Sequence, residues 1–242
     1  MESKREYSSL RSVRVRCGKI IQKIAFMPIF FQQDIDGSTK FAIWKIEEPE
    51  SFFLSQVPLQ RNITHPHKRL QHLAGRYLMK YLFPEFPLSL IRIADTRKPF
   101  LEDEAYHFSI SHCGDYAAVI ISTENRVGID IEEPSYKVQR IRHKFLSSED
   151  AAIFQNKEAN ELTFLTLAWS CKEAVFKWYG KGEVDFRKHI HLKRFEKLEG
   201  NDFSVEIKFT KEQECQLEVD GKLFKNICLS YLVTRPHIDI YY

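Results

Sequence analysis

The sequence predicts an α+β fold with mostly antiparallel sheets, on three observations. Two long stretches place apolar residues at helical spacing, eight short β-like runs lie around them, and helices are too few for regular β-α alternation. At 242 residues the chain makes one large domain or two small ones. A hydrophobic share of 43%, with 19 Phe, supplies a core and argues against disorder.

The β-like runs are Ile20–Phe26, Phe41–Ile46, Leu90–Ala94, Tyr106–Ile110, Tyr116–Ser122, Val127–Glu132, Phe203–Phe209 and Ile227–Val233. The first helix runs from Pro66 to Leu82, with Leu70, Leu73, Ala74, Tyr77, Leu78 and Tyr81 as its apolar face, and stops at Phe83-Pro84. The second runs from Asn160 to Tyr179 along Leu162, Leu165, Trp169, Phe176 and Tyr179, and breaks at Gly180 and Gly182. A short third helix starts near Ser147, where S-S-E-D offers a cap and first-turn acids. GRYLMKYL (75–82) resembles KEAVFKWY (172–179), a hint of internal duplication with one long helix in each half.

Composition narrows the chemistry. Lys+Arg number 36 and Asp+Glu 33, so the net charge of +3 points to neither nucleic acid nor membrane. Gly and Pro number 9 each; 18 of 242 is about 7%, below the usual ~12% for the pair. No Gly-rich nucleotide loop occurs, so a phosphate ligand would have to be held by side chains and metal. The first residues mix acids and bases without an apolar core, and no apolar run approaches the ~20 residues of a membrane span. Five scattered cysteines without C-x-x-C spacing read as reduced thiols. The expectation is a cytoplasmic chain.

Four segments carry chemistry. In R-V-G-I-D-I-E (126–132), alternation puts Asp130 and Glu132 on one strand face, about 6–7 Å apart. Gly128 leaves that face open to a ligand, and paired carboxylates suit Mg²⁺. For an isolated D-x-E, the ordinary reading is a solvated strand face. In W-S-C-K-E-A-V-F-K (169–177), Glu173 and Lys177 share a helix face with Thr166 and Ser170. Alone they are an exposed ion pair; together with Asp130 they offer a metal ligand or base and a phosphate clamp. Lys172 lies nearer the apolar stripe, where its stem would snorkel.

In F-S-I-S-H-C-G-D-Y (108–116), a strand ends at a turn where His112, with Ser109 and Ser111, could meet a phosphate; a structural histidine is the plainer alternative. Cys113 is adjacent to His112, and neighbours on a turn rarely face each other. In T-R-K-P-F (96–100), Pro99 holds Arg97 and Lys98 in an extended segment. His65–Arg69 (HPHKR) adds basic residues at the first helix's N-terminus, where free N–H groups favour an anion.

Taken in order, K-P-F, F-S-I-S-H, V-G-I-D-I-E and W-S-C-K-E-A-V-F-K followed by G-K-G resemble the Sfp-type 4′-phosphopantetheinyl transferases, over about residues 75–182. The resemblance implies a pseudo-dimer of two similar α+β halves, 1–122 and 123–242, with coenzyme A and Mg²⁺ between them. It implies transfer of the 4′-phosphopantetheine arm to a serine of an apo acyl or peptidyl carrier protein, releasing 3′,5′-ADP. Asp130, Glu132 and Glu173 then correspond to the metal carboxylates. His112 and Lys177 correspond to pyrophosphate contacts, and Lys98, Pro99, Ser109 and Ser111 to the lining of the coenzyme site. Glu173 is the expected acceptor of the serine proton, with Glu132 or a metal-bound water as rival. The family's basic residue for the 3′-phosphate falls at His67, beside Lys68 and Arg69, a departure from its pattern. A fused pseudo-dimer needs no second copy, so a monomer is expected, with neither nucleic acid nor membrane as partner. The alternatives are a Mg²⁺-dependent phosphohydrolase on a nucleotide-like substrate and a non-catalytic module that binds carrier proteins or coenzyme A.

Overall fold

The computed structural model describes residues 29–153 and 160–235. The expected strand at 20–26 and one of the five cysteines, Cys17, lie outside them. In chain order the elements are β1 (Ile29–Asp34), β2 (Thr39–Lys45), α1 (Glu50–Leu54), α2 (Pro66–Leu82), β3 (Arg92–Ile93), β4 (Pro99–Phe100), β5 (His107–Cys113) and β6 (Tyr116–Ser122). They continue with β7 (Arg126–Glu132), α3 (Tyr136–Phe145), α4 (Ser148–Ala152), α5 (Glu161–Tyr179), α6 (Phe186–His189), β8 (Ile190–Lys197), β9 (Asp202–Phe209), β10 (Cys215–Leu223) and β11 (Cys228–Thr234). The class is α+β, as expected. Among the described residues no helix is long and apolar enough to cross a membrane.

Two antiparallel sheets form, ordered β1-β2-β6-β5 and β7-β11-β10-β9-β8, and β3 and β4 make a separate ribbon. The strands of the first sheet end at Ser122 and those of the second begin at Arg126. Alternation along each strand sorts its side chains into layers. In the first sheet, Trp44, Val119 and Ile121 face Leu73, Leu78 and Met79 of α2. The opposite face, Phe41, Ile43 and Ile120, packs on Ile129, Ile131 and Leu229 of the second. Val205, Ile207 and Val219 lie under Leu165, Val175 and Trp178 of α5.

The long helices begin and end for local reasons. Pro66 opens α2, and the chain turns extended at Phe83, before Pro84. Asn160 caps α5 by accepting from the Leu162 N–H at 2.9 Å, and Gly180 closes it at φ 73°, where glycine carries no Cβ penalty. Ser147 and Asp150 form a reciprocal capping box on α4, as S-S-E-D suggested.

Three expectations need correction. Gly128 does not open onto a ligand: a Cβ there would overlap the Ala174 carbonyl and Trp178, so this glycine lets α5 lie directly on β7. Thr166 and Ser170 are not on a solvated side but fully buried. Lys172 does not snorkel. Its ammonium is buried against Asp150 (2.6 Å) and the carbonyls of Phe145, Phe186 and Ile190.

Candidate functional site

The site forms where β5 and β7, edge strands of the two sheets, run side by side beneath α5. The N–H groups of Ile129 and Ile131 donate to Ser109 Oγ and Ser111 Oγ, each at 3.2 Å. The two serines therefore stitch one sheet to the other, which explains their burial. Strand β5 continues through His112 and Cys113, where the sequence suggested a turn.

Asp130 sits at the centre, 2% exposed. Its Oδ1 accepts from Lys177 Nζ at 2.6 Å and from Ser111 Oγ at 2.8 Å, while its Oδ2 is buried without a partner. Lys177 Nζ also donates to Ser111 Oγ at 2.8 Å. Glu132, two residues along the same face, accepts from Trp169 Nε1 at 3.0 Å. Glu173 lies one turn before Lys177 on α5. Burial, reinforced by the charge of Asp130, pushes Glu132 and Glu173 each up to about 7. The motifs of β5, β7 and α5 are thus brought together, with the two raised glutamates close to the Asp130 carboxylate.

Whether these residues suit a divalent cation follows from that arrangement. Among the described residues no three candidate ligands already converge on one point. The donor set nevertheless fits: the oxygens are hard, Asp130 Oδ2 is an unsatisfied buried acceptor, and a cation would offset the burial and the Asp130 charge that lift Glu132 and Glu173.

Two pockets adjoin the carboxylates. One, of about 210 Å³, is lined by Lys98, Pro99, Ser109, Phe176 and Lys177 among others. The second, of about 310 Å³, shares Arg97, Pro99 and Ile110 with it and gathers Arg61, Lys68, His72, Arg76 and His112 with no acid. Arg76 is 4% exposed, its Nε has no partner, and burial with the Arg61 charge lowers it to about 10. Burial, then Arg76 and Arg61, holds His72 down at about 4. A buried arginine beside the exposed Arg61, Lys68 and Arg97, with no acid in the lining, makes an anion site.

The basic residues singled out from sequence divide. Lys68 lines this pocket, but His67 bonds Asp115 at 3.1 Å and Arg69 is held by both oxygens of Glu50 (2.7 and 2.8 Å). His67 and Arg69 are therefore engaged elsewhere. Arg61, His72 and Arg76 were missed. The signal was present: Lys68, His72 and Arg76 stand at i, i+4 and i+8 on α2, a basic stripe along one side of the helix.

Lys98 reaches the end of α5, donating to the Trp178 carbonyl at 3.3 Å, and Thr96 Oγ1 donates to that of Gly180 at 3.0 Å. Arg126 donates to the Trp178 and Tyr179 carbonyls at 2.9 and 2.5 Å. Two cations thus sit at the negative end of the helix bearing Glu173 and Lys177. Cys113 is no nucleophile: burial, then Glu132, Glu133 and Asp130, push its thiol far up.

Residues 126–232, from β7 into β11, match the family model for the 4′-phosphopantetheinyl transferase superfamily, ACPS. The chain belongs to the 4′-phosphopantetheinyl transferase superfamily. It is 30% identical over 156 residues to a Haemophilus influenzae protein assigned as a 4′-phosphopantetheinyl transferase, covering 62% of this chain and 66% of that one. It is 36% identical over 114 residues to enterobactin synthase component D of Escherichia coli, 46% of this chain and 54% of the relative. Over 130 residues it is 32% identical to the mouse L-aminoadipate-semialdehyde dehydrogenase-phosphopantetheinyl transferase, 46% and 42% of the two chains. The chain therefore spans between 42% and 66% of the length of these relatives. Asp130, Glu132, Glu173 and Lys177 all lie inside the matched superfamily segment, while the basic pocket on α2 lies before it.

Proposed function

We propose that the protein is a Mg²⁺-dependent 4′-phosphopantetheinyl transferase that moves the arm of coenzyme A onto a serine of an apo acyl or peptidyl carrier protein and releases 3′,5′-ADP. The observation that carries this reading is the Lys177–Asp130–Ser111 cluster, with Glu132 and Glu173 beside it and an acid-free basic pocket adjoining. An enzyme that breaks a pyrophosphate needs a carboxylate set, a mobile cation and a separate anchor for the rest of the nucleotide; these three stand together here.

Coenzyme A carries a pyrophosphate and a 3′-phosphate. Arg61, Lys68, Arg76 and Arg97 supply charge for the 3′-phosphate, taking the place expected of His67. Lys177 and His112 meet the pyrophosphate. His112, lowered by burial and by Lys68 and Lys177, is neutral and donates one ring N–H. Asp130, Glu132 and Glu173 would hold Mg²⁺, which when bound supplies charge neutralisation at the pyrophosphate. Lys177 is drawn from Asp130 toward phosphate oxygens that gain negative charge as the bond to the leaving 3′,5′-ADP lengthens. Glu173 takes the proton of the carrier serine as its oxygen bonds the β-phosphorus.

Mass spectrometry of apo carriers incubated with coenzyme A and Mg²⁺ tests the reading, because only a transferase adds the arm's mass. Glu173→Gln is expected to lose transfer by ~100-fold or more with coenzyme A binding little changed. Equal loss of both would make Glu173 a binding group.

A further inference from the structure

A third pocket lies at the far end of the seam between β5 and β7, away from the carboxylates. It measures about 230 Å³ and is bordered by the β3–β4 ribbon, the first residues of β5 and β7, and the end of α5. Arg126 and Val127 line it, and Asp130 stands four residues further along β7, about 13 Å at the rise of a strand. Lys98 lies between this pocket and the one of about 210 Å³, and lines both.

The walls are aromatic and are held from behind. Phe108 and Tyr106 pack on the buried Phe86, with ring centroids 5.2 and 5.0 Å away, and Tyr179 donates its O–H to Glu212 at 2.7 Å. Phe100 of β4 adds a ring that is 37% exposed. A flat apolar ligand meets surfaces already in place, at little cost in ordering.

Charge sets the polar end of that ligand. Lys98, Arg126 and Lys181 line the pocket, and Glu104 is the one acid among the described residues around it. Arg126 donates to the last carbonyls of α5, and Lys181 pairs with Glu212 at 3.0 Å. Lys98 pairs with no acid among the described residues. Its ammonium lies against Gly180, whose missing side chain makes the room, and its one hydrogen bond is to the Trp178 carbonyl at 3.3 Å. Burial, then Arg126, lowers Lys98 to about 8, so it is still cationic at neutral pH. An anionic group complements it. A cavity of ~150 Å³ takes a benzene ring, so this one admits a single ring bearing a carboxylate and is too small for a nucleotide.

We propose that this pocket is a binding site for a small aromatic carboxylate, with the ring among Phe100, Tyr106, Phe108 and Tyr179 and the carboxylate on Lys98. The transferase reading makes no use of the pocket, and binding here is independent of it.

The test is calorimetric titration of the whole chain with benzoate, and with benzylamine as a cationic molecule of the same size. Benzoate should saturate the wild type with a Kd of about 1 mM or below, and benzylamine should not saturate it. Lys98→Met should weaken benzoate binding by about tenfold or more, and Ala94→Leu, which fills the pocket from its lining, by a similar factor. Glu104→Gln should tighten it by about twofold. Arg61→Gln/Lys68→Gln, in the α2 pocket, should bind benzoate as the wild type does. Circular dichroism establishes that each variant is folded. No saturable benzoate binding by the wild type, equal binding of benzylamine, or unchanged affinity in the folded Lys98→Met and Ala94→Leu variants would overturn the proposal. So would a loss confined to Arg61→Gln/Lys68→Gln, which would place the anion on α2.

Discussion

Replacing Lys172 by Met tests how the helix that carries Glu173 and Lys177 is held. The Lys172 and Asp150 side chains are 0% and 1% exposed, and their ion pair spans 2.6 Å. The three N–H groups of the ammonium are shared among Asp150 and the carbonyls of Phe145, Phe186 and Ile190, at 2.6 to 2.9 Å. Asp150 also accepts from the N–H groups of Ser147 and Leu192. One charge pair thus joins α5 to the end of α3, to α4, to α6 and to β8. Burial, outweighing the attraction of Asp150, lowers the Lys172 pKa, so the pair is held at a cost in desolvation.

Lys172→Met leaves a buried carboxylate and three carbonyls without their donor, and removing one partner of such a pair costs about 3–5 kcal/mol. For a chain of this size that lowers Tm by roughly 6–20 °C. Urea unfolding followed by circular dichroism and Trp fluorescence gives the loss directly. The double variant Lys172→Met/Asp150→Asn removes both charges and should be more stable than the sum of the single losses by about 1–3 kcal/mol. A single variant within 1 kcal/mol of the wild type, or strictly additive losses, would show that the Lys172–Asp150 pair does not hold α5 in place.

Two further outcomes follow from the geometry. Gly128→Ala pushes a methyl into the Ala174 carbonyl and Trp178; α5 must retreat, costing about 1–3 kcal/mol and separating Lys177 from Asp130. Both urea midpoint and transfer rate should fall, and a variant unchanged in either would show that the contact is not limiting. Arg61→Gln with Lys68→Gln should raise KM for coenzyme A roughly tenfold and leave that for dephospho-coenzyme A unaltered. Equal effects on the two would remove the 3′-phosphate from the α2 pocket.

The sequence displayed the parts of the fold that depend on local pattern. Pro66, Asn160, Gly180 and the Ser147–Asp150 box bound their helices as composition suggested, because caps act within a turn. Strands β8 and β10 were missed although β10 alternates Leu217, Val219 and Gly221 inward with Gln216, Glu218 and Asp220 on its other face. Their charged outer faces masked the period of two. Helix α3 was missed for a related reason, since its apolar side is only Val138, Ile141 and Phe145.

In the site, the spacing of Asp130, Glu132, Glu173 and Lys177 was legible, but what faces each group depends on the tertiary contact between β7 and α5. The pattern shows that Gly128 shares a face with Asp130; only the packing shows that a helix lies there. Burial of Lys172, Thr166 and Ser170 has the same origin, because α5 is covered on more sides than its apolar stripe implies. The serines of β5 were visible as polar residues on a strand, but their use as links between two sheets was not.

On the proposed function, Asp130 organises a metal-dependent transfer to a carrier protein. The most direct measurement is the mass of an apo carrier after incubation with coenzyme A, Mg²⁺ and either the wild type or Asp130→Ala. The wild type is expected to add the phosphopantetheine arm, to stop when Mg²⁺ is chelated, and to resume when it is restored; the folded variant is expected to leave the carrier unmodified. Transfer by Asp130→Ala at near the wild-type rate, or transfer indifferent to chelation, would contradict the claim.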